Sequence, residues 1–259
     1  MSNFIFVPTI PQSGTWFILK FLEKCGLKLE HVGEILRRTD NRTLDLKGVP
    51  TVLSTHIFPF YYQGNPYKEA WPTYGGDPIQ DYVVRKYCIS LGAIELLASI
   101  YKTVIPIRDP LACLLTREVR AGQLRHFYII DGFIEVAERF MNHPNVKFFP
   151  IDLYGSDSEP KTLEEEVIKK KSLISLLEHC EIDVESNKTI INDTAKCWKR
   201  ENETPNNRYK APYEAGDIEK IKKMLGSKWA EVEYLKNHAS RILPLLTSLG
   251  YTTIKPLLW

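Results

Sequence analysis

Three short segments carry residue types suited to anion and proton chemistry. Pro11-Gln12-Ser13-Gly14-Thr15-Trp16 follows a short apolar run and leads into an amphipathic stretch. A strand, a tight glycine loop and a helix N-terminus bind phosphate-like groups, because backbone N–H groups face the anion and the helix dipole favours negative charge. Ser13 and Thr15 add hydroxyl donors and Gln12 a side-chain amide. The loop is not a Walker A sequence, which needs Gly-Lys-Ser/Thr after four residues. The second segment is Ser54-Thr55-His56. A histidine at the carboxyl edge of a buried strand sits where substrates arrive, and its pKa range suits taking a proton from a hydroxyl or amine. The third is Ile105-Pro106-Ile107-Arg108-Asp109-Pro110, with Thr116 eight residues beyond Arg108. Such an arginine forks onto a phosphate and the threonine hydroxyl completes the cradle. Each segment also has a purely structural reading: a packing turn, a hydrogen-bonded strand end, and an Arg–Asp pair beside a helix cap.

The elements that must hold these segments are readable. Phe4 to Val7, Thr51 to Thr55, Thr103 to Ile107 and Val146 to Ile151 are short apolar runs, expected as buried strands. Helices are expected over Phe17 to Cys25, stopped by Gly26, and over Asp81 to Ser99. Another starts with Asp109 as cap and Pro110 in its first turn and runs through Thr116, and a further one spans Phe133 to Met141. The last third reads as helical. Thr162 and Glu165 form a capping box, and Glu165–Lys169 and Glu166–Lys170 pair on a solvated face. Val232, Leu235, Ala239, Ile242, Leu246 and Leu249, ending at Gly250, form the core stripe of a terminal helix kinked at Pro244. Strands separated by helices imply a single α/β domain over 1–259 with a central, mostly parallel sheet flanked by helices. Ligands of such sheets bind outside the carboxyl ends of the strands.

The chain has 259 residues, 44% of them apolar, enough for one domain with a sizeable core. Its 34 basic and 32 acidic residues nearly cancel, which argues against nucleic acid or a membrane surface as the main partner. Five cysteines, none in a CxxC pair, and an N-terminus without a basic leader lead to the expectation of a cytoplasmic protein with reduced thiols. No metal-ligand spacing is visible, so no metal is expected.

Taken in order, the segments resemble the family of PAPS-dependent sulfotransferases of the cytosolic, small-molecule type, of which this chain looks like a divergent member. PAPS is 3′-phosphoadenosine-5′-phosphosulfate, and PAP is the nucleotide left after transfer. In that family a Pro-Lys-Ser-Gly-Thr-Thr-Trp loop holds the phosphosulfate and a Lys-Thr-His segment supplies the base. An Arg-Asn-Pro segment, with a serine eight residues further on, holds the 3′-phosphate. The resemblance therefore implies a P-loop-like phosphosulfate loop at Gln12, Ser13, Gly14, Thr15 and Trp16, a base at His56, and a 3′-phosphate site at Arg108 and Thr116. Phe149-Pro150-Ile151-Asp152-Leu153 is similar to the family's Tyr-Glu-Asp-Leu strand end. Asn207-Arg208-Tyr209-Lys210 through Gly216-Asp217 is similar to its C-terminal Arg-Lys-Gly loop, which brings Arg208 and Lys210 to the 3′-phosphate. Leu249-Gly250-Tyr251 matches the family's closing segment. The implied reaction is direct in-line sulfuryl transfer to a hydroxyl, amine or carbamoyl group of a small acceptor, such as a natural product, metabolite or toxin, by a monomer or homodimer.

Two departures bear on that reaction. Gln12 stands where the family has its loop lysine, and Ser54 where it has the lysine before Thr-His. The loop is also one threonine short, which leaves open whether Trp16 is the adenine-stacking tryptophan. Charge develops on the leaving phosphate's bridging oxygen, and losing a donor there typically costs about 10²–10³-fold in rate. Gln12 offers a neutral hydrogen bond, roughly half as strong as a charged one. Lys20 is expected to point along its helix, away from the loop. One of Lys196, Lys199, Arg200, Arg208 and Lys210, in a loop-like stretch, is therefore expected to supply the charge. Residues 58–82 hold Phe58, Phe60, Tyr61, Tyr62, Tyr67, Trp71, Tyr74 and Tyr82, either an acceptor-pocket wall or a loop glued to the core. Glu69, Asp77 and Asp81 there favour a cationic acceptor. The rival readings are a P-loop nucleotide kinase or other phosphotransferase, and a catalytically dead PAP-binding protein of the same fold.

Overall fold

Strand β1 (Phe4–Thr9) is buried along its length after Phe4, the mark of a strand covered on both faces. It lies between β3 (Thr51–Ile57) and β5 (Lys102–Ile107), parallel to each. β2 (Lys28–His31) pairs with the far edge of β3, and β6 (Val146–Pro150) with the far edge of β5. The sheet order is therefore β2-β3-β1-β5-β6. A two-residue strand, β4 (Cys88–Ile89), joins β3 at His56 and Ile57. Because β1 holds the other edge of β3 as far as Thr9↔His56, β4 continues the edge that β2 occupies earlier. Every described pairing is parallel. This computed structural model describes residues 4–9, 14–31, 50–57, 88–89, 91–109, 111–113, 115, 129–154, 162–197, 215–241 and 243–249.

Helices cover both faces: α1 (Thr15–Lys24), α2 (Leu91–Ile100), α3 (Ile129–Phe140), α4 (Leu163–His179), α5 (Lys188–Lys196), α6 (Ile218–Leu225), α7 (Trp229–His238) and α8 (Leu243–Ser248). The period-2 alternation of the strands divides the core in two. Phe6, Ile105, Ile107 and Phe148 face α2, α3 and the C-terminal helices, packing on Ile94, Phe140, Ile221 and Val232. Ile5, Val7, Val52, Val104 and Phe149 face the other way, onto Phe17 and Phe21 of α1 and onto Leu173, Leu176 and Leu177 of α4.

The expected strands at Phe4, Thr51, Thr103 and Val146 are all present, as is the parallel α/β architecture. Helix α1 ends as its glycine predicts. Gly26 takes φ +89°, its N–H bonds Glu23 O, and Leu27 N–H bonds Leu22 O, closing a Schellman motif. Four features depart from expectation. β2 has no strand signal in the sequence, because only Leu29 among its four residues is apolar. The helix expected over Asp81 to Ser99 is interrupted: Cys88–Ile89 is strand β4, and α2 begins at Leu91. Lys169 does not lie on a solvated face but is buried, whereas Glu166–Lys170 pairs at 2.6 Å as expected. The terminal stripe is two helices, α7 and α8, separated by a 3-10 turn at Ala239–Arg241. Pro244 sits in the first turn of α8, where its missing N–H is not needed. Val232 and Leu245 are buried there and Leu249 packs beside them.

Helix α4 starts as its capping residues predict, with Thr162 Oγ1 accepting Glu165 N–H at 3.1 Å. Its other end is tied to the sheet: His179 Nε2 is hydrogen-bonded to Thr103 O at 3.1 Å, and Lys147 Nζ donates to Ser175 Oγ at 2.8 Å. Burial pulls the His179 imidazole below its ordinary value near 6.5, aided by Lys147 and Lys102 and opposed by the hydrogen bonds to the backbone of Thr103 and Asn145. The unfolded chain therefore binds this proton more readily, so stability rises with pH through the window between the two values. The urea midpoint is expected to fall as pH drops below about 6.5, and His179→Gln to reduce that slope. An unchanged slope in the variant would contradict the linkage.

Candidate functional site at the carboxyl edge of the sheet

Helix α1 begins directly behind the loop that leaves β1. Gly14 is its N-cap, left-handed at φ 83° and ψ 31°, and Gly14 O accepts the Phe17 N–H at 3.0 Å. A Cβ on Gly14 would lie 2.3 Å from Ile151 Cγ2, so both the backbone conformation and the space demand glycine. Thr15 and Trp16 occupy the first turn, where backbone N–H groups have no intrahelical carbonyl to bond. Gln12 and Ser13 lie outside the described residues. The turn is anchored from below: Phe17 is buried, stacked on Tyr154 at 4.4 Å between centroids and on Phe149 at 6.0 Å. Trp16 is 56% exposed, with Lys20 Nζ 5.6 Å from its ring centroid. Lys20 also bonds Glu23 at 2.5 Å, so its ammonium is engaged along its own helix.

At the end of β3, Ser54 is buried and its hydroxyl donates to Glu30 O of β2 at 3.3 Å. Where the resembled family has its second lysine, Ser54 makes a strand-to-strand contact. His56 stands two residues on, in register with Thr9 of β1 and Cys88 of β4. Its backbone is at the carboxyl edge as expected, and its side chain lies outside the described residues.

Beyond β5 the chain makes a tight, hydrogen-bonded turn. Asp109 is buried, and its Oδ1 accepts from Leu111 N–H at 2.8 Å and Ala112 N–H at 3.3 Å, the helix cap that its sequence predicts. Arg108 Nε faces Asp152 Oδ1 at 3.4 Å, and Asp152 Oδ2 accepts the Asp109 N–H at 2.6 Å. The Arg108 side chain therefore engages the acid Asp152 at the end of β6. The strands deliver this pairing. Ile107 O accepts Ile151 N–H at 2.8 Å, and the 3-10 turn Asp152–Tyr154 follows at once. Burial, moderated by Arg108, drives the Cys113 thiol beside the turn far up from its ordinary value.

The structure thus brings Gly14, Thr15 and the Arg108–Asp109 turn to one edge through β6: Gly14 packs against Ile151, and Asp152 is the next residue. Thr116, Arg208, Lys210, Lys199, Arg200 and the aromatic residues 58–82 lie outside the described residues. Lys196 is not in a loop but ends α5; the Glu166 carboxyl is lowered chiefly by its hydrogen bond with Lys170, with a smaller pull from Lys196. Gly216 and Asp217 open α6, with Asp217 Oδ1 accepting the Lys220 N–H at 3.0 Å. The residue whose part the sequence reading misses is Asp152. Its signal is an acid immediately beyond a strand expected beside the one ending at Arg108-Asp109. Among the described residues no group of His, Cys, Asp and Glu is arranged to hold a metal ion, and no helix is long and apolar enough to cross a membrane.

No family model and no curated protein matches the chain. Among solved structures it is similar to the mouse sulfotransferase SULT7A1 complexed with PAP, with a TM-score of 0.46 and 13% identity over 93% of this chain and 90% of that one. The geometry at Gly14 is open to a direct check. Gly14→Ala adds left-handed strain and an overpacked contact with Ile151, expected to cost at least about 2 kcal/mol. Urea denaturation reads the loss, and unaltered stability would rule out the close approach.

Proposed function

We propose that this chain is a PAPS-dependent sulfotransferase acting on a small acceptor. The observation that carries the reading is convergence: the glycine-started helix after β1, the end of β3 at His56 and the turn at Arg108 share one edge of a parallel sheet. β1 is also where the strand order changes direction, with β3 on one side and β5 on the other, the position at which open α/β sheets take their ligands. The first-turn amides of α1, which starts at the left-handed Gly14, suit a phosphosulfate oxygen.

In this reading the donor supplies an activated sulfuryl group and the chain supplies position and charge. Gly14, Thr15, Ser13 and Gln12 hold the phosphosulfate. Trp16 stands beside it, and Arg108 and Thr116, with Arg208 and Lys210, hold the 3′-phosphate. His56 takes the proton of the acceptor hydroxyl, amine or carbamoyl group as the acceptor's heteroatom attacks sulfur, the bond from sulfur to the bridging phosphate oxygen breaks, and PAP leaves. No metal has a part, and the compartment proposed is the cytoplasm, with the chain acting as monomer or homodimer without nucleic acid or membrane. The dead, PAP-binding reading draws on one specific observation, that the Ser54 hydroxyl donates to Glu30 O of the neighbouring strand. The kinase reading has no comparable support.

Calorimetry with PAP and ATP tests the nucleotide site. Micromolar or tighter PAP binding, much weaker ATP binding and a loss of about 10- to 100-fold in Arg108→Ala are expected. Absence of PAP binding would end the assignment. His56→Ala is expected to abolish transfer from PAPS while PAP affinity stays nearly intact. A fully active variant would remove His56 as the base, and tight PAP binding with no transfer by the wild type to any acceptor would favour the dead protein.

A further inference from the structure

We infer that Asp152 is a positioning residue that sets the Arg108 guanidinium and the Asp109 backbone for anion binding, an inference that rests on the 3′-phosphate role proposed for Arg108. Each carboxylate oxygen has a separate duty. Oδ1 faces Arg108 Nε at 3.4 Å, and Oδ2 accepts the Asp109 N–H at 2.6 Å. A long arginine side chain loses rotamer freedom on binding an anion, and a partner that restricts it beforehand lowers that cost. A carboxylate at Nε fixes the guanidinium plane by one edge of its donor fork.

Asp152 is itself held on a rigid base. The ladder bond from Ile151 N–H to Ile107 O immediately precedes it, and Tyr154 N–H bonds Ile151 O at 2.8 Å. Two residues on, Tyr154 is buried, stacked on Phe17 of α1, with its hydroxyl donating to Lys169 O at 2.7 Å. The same core contacts therefore set both the loop helix and the acid that aims Arg108. The Asp109 amide that Asp152 holds belongs to the residue whose carboxylate caps the next helix. Asp152 thus fixes the start of the helix expected to carry Thr116 as well as the arginine.

Charge alone predicts the opposite sign. A carboxylate beside an anion site repels the anion, so its removal should tighten binding if electrostatics dominated. Positioning predicts weaker binding. The experiment is PAP calorimetry on Asp152→Ala and Asp152→Asn, each also combined with Arg108→Ala, with thermal denaturation to verify folding. Asp152→Ala is expected to weaken PAP about 10-fold or more, and Asp152→Asn, which keeps an acceptor for the Asp109 N–H, to weaken it less. In the Arg108→Ala background each substitution should cost less than it does in the wild type, the remainder being the share carried by the Asp109 N–H. Tighter binding in both single variants, or an undiminished loss without Arg108, overturns the positioning role while leaving the nucleotide site standing. If Arg108→Ala itself binds PAP as the wild type does, the parent reading of Arg108 fails and Asp152 has nothing to aim. Should Asp152→Ala not fold, Asp152→Asn alone decides: unchanged or tighter PAP binding overturns the role.

Discussion

Gly14 and Ile151 approach so closely that no side chain fits between them, and this contact sets the spacing at the carboxyl edge of the sheet. It brings the start of α1, which follows β1 in the chain, to the end of β6, two strands away, across the end of β5. Only a glycine combines the left-handed turn that starts α1 with the absence of a Cβ facing Ile151. The contact also determines what lies beside Gly14, because Ile151 is followed directly by Asp152 and preceded by the strand paired with Ile107. The helix N-terminus and the Arg108 turn are neighbours for that reason.

The aromatic group beneath this edge keeps the spacing from relaxing. Phe17, Phe149 and Tyr154 stack on one another, each from a different element, and all three are buried. Aromatic pairs of this kind add about 0.5–1.5 kcal/mol each beyond their buried area. Burial pushes the Tyr154 hydroxyl far above its ordinary range, against the pull of Ser172, so it stays a neutral donor to Lys169 O. That bond ties the Lys169 turn of α4 to the site's own 3-10 turn.

Much of the fold was legible because its strands are buried on both faces and read as uninterrupted apolar runs, as at Phe6-Val7 and Val104-Ile105. What was not legible had no period to read. β2 carries one apolar residue and a Lys28–Glu30 pair, and β4 is two residues long inside a run that also suits a helix. At the site, Gly14 and the Asp109 cap were visible as local chemistry. The pairing of Arg108 with Asp152 was not, since it joins residues 44 apart through the register of β5 and β6. Burial of Lys169 escaped for a similar reason. An (i, i+4) charge pattern describes one helix, and what covers it is a matter of tertiary packing.

The charge balance at the edge gives the proposed chemistry its particular shape. Gln12 and Ser54 are neutral where the resembled family has lysines, and Arg108 shares its charge with Asp152. A hydrogen bond from a neutral donor is roughly half as strong as a charge-assisted one, so the described residues offer geometry more than net positive charge. Fixed dipoles gain from such an arrangement. The first-turn amides of α1 need no reorganisation when charge moves onto a leaving group, and the buried aromatic stack beneath them keeps them aimed. A site working in the proposed way would depend on preorganisation, which would make the proposed function as sensitive to the supporting residues, Gly14, Ile151, Tyr154 and Asp152, as to the groups that touch the ligand.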